Sequence, residues 1–153
     1  MVFTRDLRID DNPALCAAAA DGPISCVFVM DDQIVNASTA SPRRQAFLQQ
    51  CLGDLSNSLE ELGAGLEVIS GNWSEQLQKR AHELQATSVH ISDDYSSYAK
   101  RRLDHLENWC VSQDIEFQRH PGVTALPPGD IQPAGGGEYK VFTPYWRSWL
   151  QAP

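Results

Sequence analysis

Apolar positions along the chain fall into two alternating patterns. Ile24–Met30 (ISCVFVM) is a short, nearly continuous apolar run, and Val2-Phe3, Leu66–Ile69, Ser88–Ser92 and Ile115–Arg119 are the other short strand segments. The ISCVFVM run reads as a strand buried on both faces of a parallel sheet. Between them, apolar residues recur at steps of three and four, the spacing of one helix face. Pro13–Ala20 is an alanine-rich helix with Asn12 as N-cap, Pro13 at the first helical position and Asp21-Gly22-Pro23 as its stop. The longest helix opens at Ser41-Pro42, carries the stripe Leu48, Cys51, Leu52, Leu55, Leu59 and Leu62, and ends at Gly63 and Gly65. A further helix starts at Asn72, with Glu75 three residues on as in a capping box. Its inner face is Trp73, Leu77, Ala81 and Leu84, with Trp73 as a core anchor. The next has the stripe Ala99, Leu103, Leu106 and Cys110. Asp32 to Ala40 is expected to be loop.

The connections between the strands are too long for hairpins, so the crossovers are parallel. The expected fold is α/β: a Rossmann-like, doubly wound, five-stranded parallel sheet with helices on both faces, in three layers. Ligands of such sheets sit at the loops leaving the carboxyl ends of the strands. Those loops supply the candidate site: Arg5, Asp6 and Arg8 after the first strand, Met30 and Asp31 at the end of the second, and Asp94, Tyr95, Ser96 and Tyr98 after the fourth, with Lys100 close behind. Aromatic faces beside carboxylates suit a planar, hydrogen-bonding ligand. Arg44 is a candidate too, because a cation in the first turn of a helix opposes the helix dipole.

Beyond the fifth strand periodicity vanishes. His120 to Gly137 is crowded with proline and glycine, and Glu138–Leu150 packs five aromatics into thirteen residues, with Thr143-Pro144 placed to open a short helix. The chain is therefore expected to divide into an α/β domain over 1–120 and a linker with an aromatic segment over 121–153. So large an apolar surface needs cover, from its own sheet or from another domain.

Composition narrows the function. Hydrophobic residues make up 42% and charged residues 21%, as in an ordinary soluble domain. No stretch approaches the roughly 20 apolar residues of a membrane span, and a cytoplasmic address with no membrane partner is expected. Twelve basic residues face 20 acidic ones, a net charge of −8, so the chain alone is a poor ligand for DNA. Cys16, Cys26, Cys51 and Cys110 lack metal-ligand spacing and read as buried free thiols. The histidines are scattered, and no metal is expected. GxGxxG, GxxxxGK[ST] and GxSxG are all absent.

Three separated stretches resemble one family. Phe3-Thr-Arg-Asp-Leu-Arg-Ile-Asp-Asp-Asn12 resembles the opening Trp-Phe-Arg-Arg-Asp-Leu-Arg-Leu-x-Asp-Asn signature of DNA photolyases and cryptochromes, with Thr4 in place of arginine. Fewer residues than is usual there precede the motif, so a short first strand is expected. The helix from Ser41 matches the family's Ser-Pro-x-Arg-x-x-Phe-Leu-x-x-Cys-Leu-x-x-Leu pattern. Leu126-Pro-Pro-Gly129 followed by Tyr139-Lys-Val-Phe-Thr-Pro-Tyr-Trp146 resembles the passage from the family's N-terminal α/β domain into its interdomain linker.

The resemblance implies the N-terminal, antenna-pigment-binding domain of a deoxyribodipyrimidine photolyase, whose parent repairs pyrimidine dimers in DNA by light. FAD would belong to a C-terminal helical domain that these 153 residues lack, and DNA would be met only through that parent. Asp94-Tyr-Ser-Ser-Tyr-Ala-Lys100 is similar to the Asp-x-Glu-Pro-Tyr-Gly-Arg loop of deazaflavin-binding relatives, with Ser96 for the glutamate. Tyr98-Ala99 stands where folate-binding relatives carry Asn-Glu. The resemblance thus implies 8-hydroxy-5-deazaflavin, with Asp94 accepting a hydrogen bond, Tyr98 or Tyr95 flanking the ring and Arg5 facing an anionic ring oxygen. Methenyltetrahydrofolate, a flavin or an empty site are the alternatives for the pigment. The alternatives for the function are a cryptochrome-like blue-light receptor domain and a free-standing nucleotide-binding or interaction module.

Overall fold

The computed structural model describes residues 1–152 apart from Thr39, which lies inside the loop expected over Asp32–Ala40; Thr39 and Pro153 are outside the described residues. The chain forms two compact units, Met1–Val123 and Thr124–Pro153.

The first unit runs β1 (Val2–Phe3), α1 (Pro13–Asp21), β2 (Cys26–Asp31), α2 (Asp32–Val35), α3 (Pro42–Glu61), β3 (Leu66–Gly71), α4 (Trp73–Glu83), β4 (Ser88–Ser92), α5 (Ser97–Ser112) and β5 (Glu116–His120). The five strands form one sheet in the order β3-β2-β1-β4-β5, and every pairing is parallel. The chain winds outward from β1 to β3, then returns to place β4 on the other side of β1. The switch point therefore lies between β1 and β4.

Strand alternation sorts the core into two layers. Phe3, Cys26 and Phe28 face Ala14, Leu15 and Ala18 of α1 and Leu52, Leu55 and Leu59 of α3. Val2, Val27, Val29, Val89 and Ile91 face Trp73 and Leu77 of α4 and Leu103, Leu106 and Cys110 of α5. Phe3 and Ile91 are fully buried, as expected at the centre of a sheet covered on both faces.

Local chemistry explains the helix starts. Asn12 Oδ1 accepts the Leu15 N–H at 3.1 Å, and Asn72 Oδ1 accepts the Glu75 N–H at 3.2 Å. Ser41 occupies the N-cap of α3 but makes no side-chain capping bond. Leu62 and Leu84, expected on the inner helix faces, are exposed at the helix C-caps, and two further expectations need correction. Asp32–Val35 is a one-turn helix rather than loop, started by Asp31, whose carboxylate accepts the Gln33 N–H at 3.0 Å. Cys16 is exposed and Cys51 half-buried, whereas Cys26 and Cys110 are buried; the alanines of α1 do not reveal which face turns inward.

In the second unit α6 spans Phe142–Trp149. Pro144 sits in its first turn, where a missing N–H removes no helical bond. Tyr139 is tied to Ser148 through their hydroxyls at 2.7 Å and meets the Tyr145 ring edge-on at 5.9 Å. Phe142 and Trp146 remain exposed.

Beneath α1, His90 and His120 stack with ring centroids 5.3 Å apart and Nδ1 to Nε2 at 3.2 Å. Asp21 lies 2.9 Å from His90 Nε2. Lost hydration, then the neighbouring His90, hold the His120 imidazole below its ordinary value, against the pull of Asp21. A depressed folded-state value means the unfolded chain binds the proton more readily. The stabilisation is therefore present above about pH 6.5 and is lost as pH falls below it. His120→Gln is expected to flatten the fall of urea-unfolding stability between about pH 7 and 5; an unchanged slope contradicts this origin.

Candidate functional site

The crevice at the switch point opens between the loops that leave β1 and β4. Arg5 and Asp94, 89 positions apart in sequence, meet across it with Nη1 to Oδ2 at 3.3 Å. Asp94 is built into its loop, its other carboxylate oxygen accepting the Ser96 N–H at 2.9 Å. Burial alone would push Asp94 up, but the Ser96 N–H and the Arg5 guanidinium outweigh it and hold the carboxyl below the usual carboxylate range. Asp94 is thus a fixed anion. Arg5 is 67% exposed, so most of its guanidinium stays open to the crevice.

Beside this pair stands a second cluster. Asp31, only 4% exposed at the end of β2, receives the Tyr98 hydroxyl at 2.8 Å and Arg102 Nη1 at 3.0 Å on one oxygen. The Arg102 guanidinium lies 4.2 Å above the Trp73 ring and 5.1 Å from that of Tyr98. Burial, followed by the bond to Asp31, raises the Tyr98 phenol above its ordinary value, with Arg102 opposing. Tyr98 is a protonated donor at neutral pH.

Arg5, Asp94 and Ser96 are therefore brought together in one cluster and Asp31 and Tyr98 in a second, and half-buried Tyr95 lies in the loop between Asp94 and Ser96. Met30 turns toward the layer under α1 and α3, partly buried against that core. Arg44 and Lys100 are exposed on α3 and α5, and among the described residues neither makes a side-chain bond. Asp6 is 1% exposed and accepts from the Thr4 N–H at 2.9 Å and the Ser92 hydroxyl at 2.7 Å. Its carboxylate ties β1 to the end of β4. Arg8 donates to the carbonyls of Asp11 at 2.6 Å and Gly122 at 2.9 Å, holding the loop against the segment after β5. Gly122 has φ +153°, and a Cβ there would crowd Ser92 Oγ.

Arg102 and Trp73 are absent from the candidate site residues read from the sequence. Arg102 carried a usable signal, since Tyr98 and Arg102 are four apart on one helix and so share a face. Trp73 reads as a core anchor in preference to a stacking platform; it is core, and its ring also lies under the Arg102 guanidinium.

A cavity of about 410 Å³ opens at the opposite rim, at the amino ends of β2 and β4. Its walls are mainly apolar, including Leu77, Ala81, Leu106 and Trp109. Of its polar side chains, Asp21 meets His90 and Arg80 forms an ion pair with Glu67 at 2.6 Å. The carboxyl-end crevice, with oriented charges and aromatic rings, has the features of a ligand site.

An open parallel sheet in the order β3-β2-β1-β4-β5, with helices on both faces, defines a Rossmann-like α/β domain. A sequence model of the DNA photolyase family matches residues 1–153, and the chain belongs to that family. It is 38% identical over 152 residues to a deoxyribodipyrimidine photo-lyase of Streptomyces griseus, covering 97% of this chain and 33% of that protein. Its fold matches a class III photolyase of Agrobacterium tumefaciens with a TM-score of 0.87 at 27% identity, over 99% of this chain and 31% of that one. It also matches an archaeal photolyase from Sulfolobus tokodaii, described with two FAD molecules and a novel light-harvesting cofactor, with a TM-score of 0.86 at 21% identity over 99% and 34% of the two chains. The chain spans about a third of the length of these relatives.

Proposed function

We propose that the switch-point crevice binds a planar antenna pigment and that the domain harvests light for a photolyase. The observation that carries this reading is the Arg5–Asp94 pair across the crevice with Tyr98 and Asp31 beside it. One open cation, one fixed carboxylate, one protonated phenol and an aromatic face match a flat heterocycle with donors and acceptors on its edge. The pigment these residues suit is 8-hydroxy-5-deazaflavin: Asp94 accepts from the ring edge, Tyr98 or Tyr95 covers its face, and Arg5 meets an anionic ring oxygen. The bound pigment would supply absorption of light and transfer of excitation. The residues bind it, orient it and exclude water.

The wider assignments belong to the same proposal. Residues 121–153 connect the α/β domain to a helical domain that holds FAD and meets DNA, and repair of pyrimidine dimers is the work of that longer protein. An absorbance and fluorescence titration of the purified domain with 8-hydroxy-5-deazaflavin, and separately with methenyltetrahydrofolate, tests the pigment. Saturable deazaflavin binding is expected. Asp94→Ala, which removes a charge-assisted hydrogen bond, is expected to weaken it by about tenfold or more. Folate binding in its place overturns the pigment but keeps the antenna role, and absence of binding by both contradicts the reading.

A further inference from the structure

The crevice rim is rich in acid. Asp31 ends β2 and Asp32 follows it, and Asp93 and Asp94 follow β4, within a chain of net charge −8. Three arginines answer them. Arg5 pairs with Asp94, and Arg119 is engaged by Asp104 and Glu107, with Asp93 a distant 4.0 Å away. That leaves Arg102 as the sole cation in contact with Asp31 among the described residues. Its place is set by more than charge: Trp73 lies beneath the guanidinium, Tyr98 lies beside it, and Asp31 fixes one Nη. At 18% side-chain exposure it is neither free to swing into solvent nor sealed from the crevice.

We infer that Arg102 determines which charge the crevice accepts. This rests on the crevice being the pigment site. With Arg102 in place the Asp31 carboxylate is neutralised and the field at the Tyr98 ring is balanced, so an anionic ring is admitted. Without it, Asp31 becomes an uncompensated buried anion within hydrogen-bond reach of Tyr98, and an anionic ring is repelled while a neutral one is not. Arg102 acts through Asp31 and Tyr98 and is a specificity-determining, positioning residue.

The test compares two probes on the wild-type domain, Arg102→Met and Arg102→Lys. One probe is 8-hydroxy-5-deazaflavin at a pH where its hydroxyl is ionised; the other is 5-deazariboflavin, which lacks that hydroxyl. Arg102→Met is expected to weaken the anionic probe by about tenfold or more and the neutral probe by less than about threefold, the anion losing a nearby charge partner that the neutral ring never had. Arg102→Lys keeps the charge and is expected to restore most of the preference. Equal losses for both probes in Arg102→Met, or no rescue by lysine, overturn the inference and leave the pigment site standing.

A second readout needs no ligand. Spectrophotometric titration, with Tyr98→Phe to identify the phenol, is expected to show Tyr98 ionising at higher pH in Arg102→Met and near the wild-type value in Arg102→Lys. If the wild-type domain binds neither probe, it is the pigment reading that fails, and an unchanged Tyr98 titration in Arg102→Met then overturns the role of Arg102 as well.

Discussion

Asp6→Ala is expected to cost about 3 kcal/mol of folding stability, a large part of the 5–15 kcal/mol typical of a domain. The carboxylate is 1% exposed and is the acceptor for the Thr4 N–H and the Ser92 hydroxyl. Alanine leaves the buried Ser92 hydroxyl and the part-buried Thr4 N–H without their acceptor, and each unmet buried donor costs about 1–3 kcal/mol. The loss falls on the link between β1 and β4, the two strands that frame the crevice. Asp6→Asn keeps one carbonyl oxygen for Thr4, and Ser92 can turn to accept from the new amide, so about 1 kcal/mol is expected. Urea unfolding followed by circular dichroism measures both. A loss below about 0.5 kcal/mol for Asp6→Ala would show that the bonds to Thr4 and Ser92 contribute little.

Trp73→Ala is expected to cost about 3–5 kcal/mol, the range for emptying a buried aromatic site. Trp73 is 3% exposed at the first position of α4 and packs in the layer with Val29, Leu77 and Leu103. The same ring is the platform under Arg102, so its removal acts on the crevice as well as the core. Trp73→Phe retains an apolar ring over part of the same area and is expected to lose about 1–2 kcal/mol. Unfolding curves give the stabilities. The coupling to the crevice is read by the Tyr98 titration, which should move in Trp73→Ala and stay close to wild type in Trp73→Phe. A Tyr98 titration unchanged in Trp73→Ala would separate the core role from the crevice.

The core layers were legible because their signal is local and repeated. The run SVHIS forms β4 with the bounds its sequence suggests, and the stripe Ala99, Leu103, Leu106, Cys110 is buried on α5 as its spacing requires. Alpha2 was not, since one turn is too short for any period to show. Within the crevice, the charges at strand ends were visible as candidates, but their partners were not. Asp6 and Asp94 look alike as loop acids; one is sealed under Ser92 and the other faces Arg5 across the switch point. That difference is made by residues 86 and 89 positions away. Arg102 was hidden for another reason: in the run Lys100-Arg101-Arg102 only one residue faces Asp31, and nothing in the run itself says which.

The most direct measurement is amide chemical-shift mapping of the isotopically labelled domain during titration with 8-hydroxy-5-deazaflavin. Saturable shifts confined to Arg5, Asp31 and the Asp94–Tyr98 loop are the predicted result. Shifts centred instead on the amino-end rim, at Ser25, Ser88 and His90, or no saturable shifts at all, would contradict the assignment of the switch-point crevice as the pigment site.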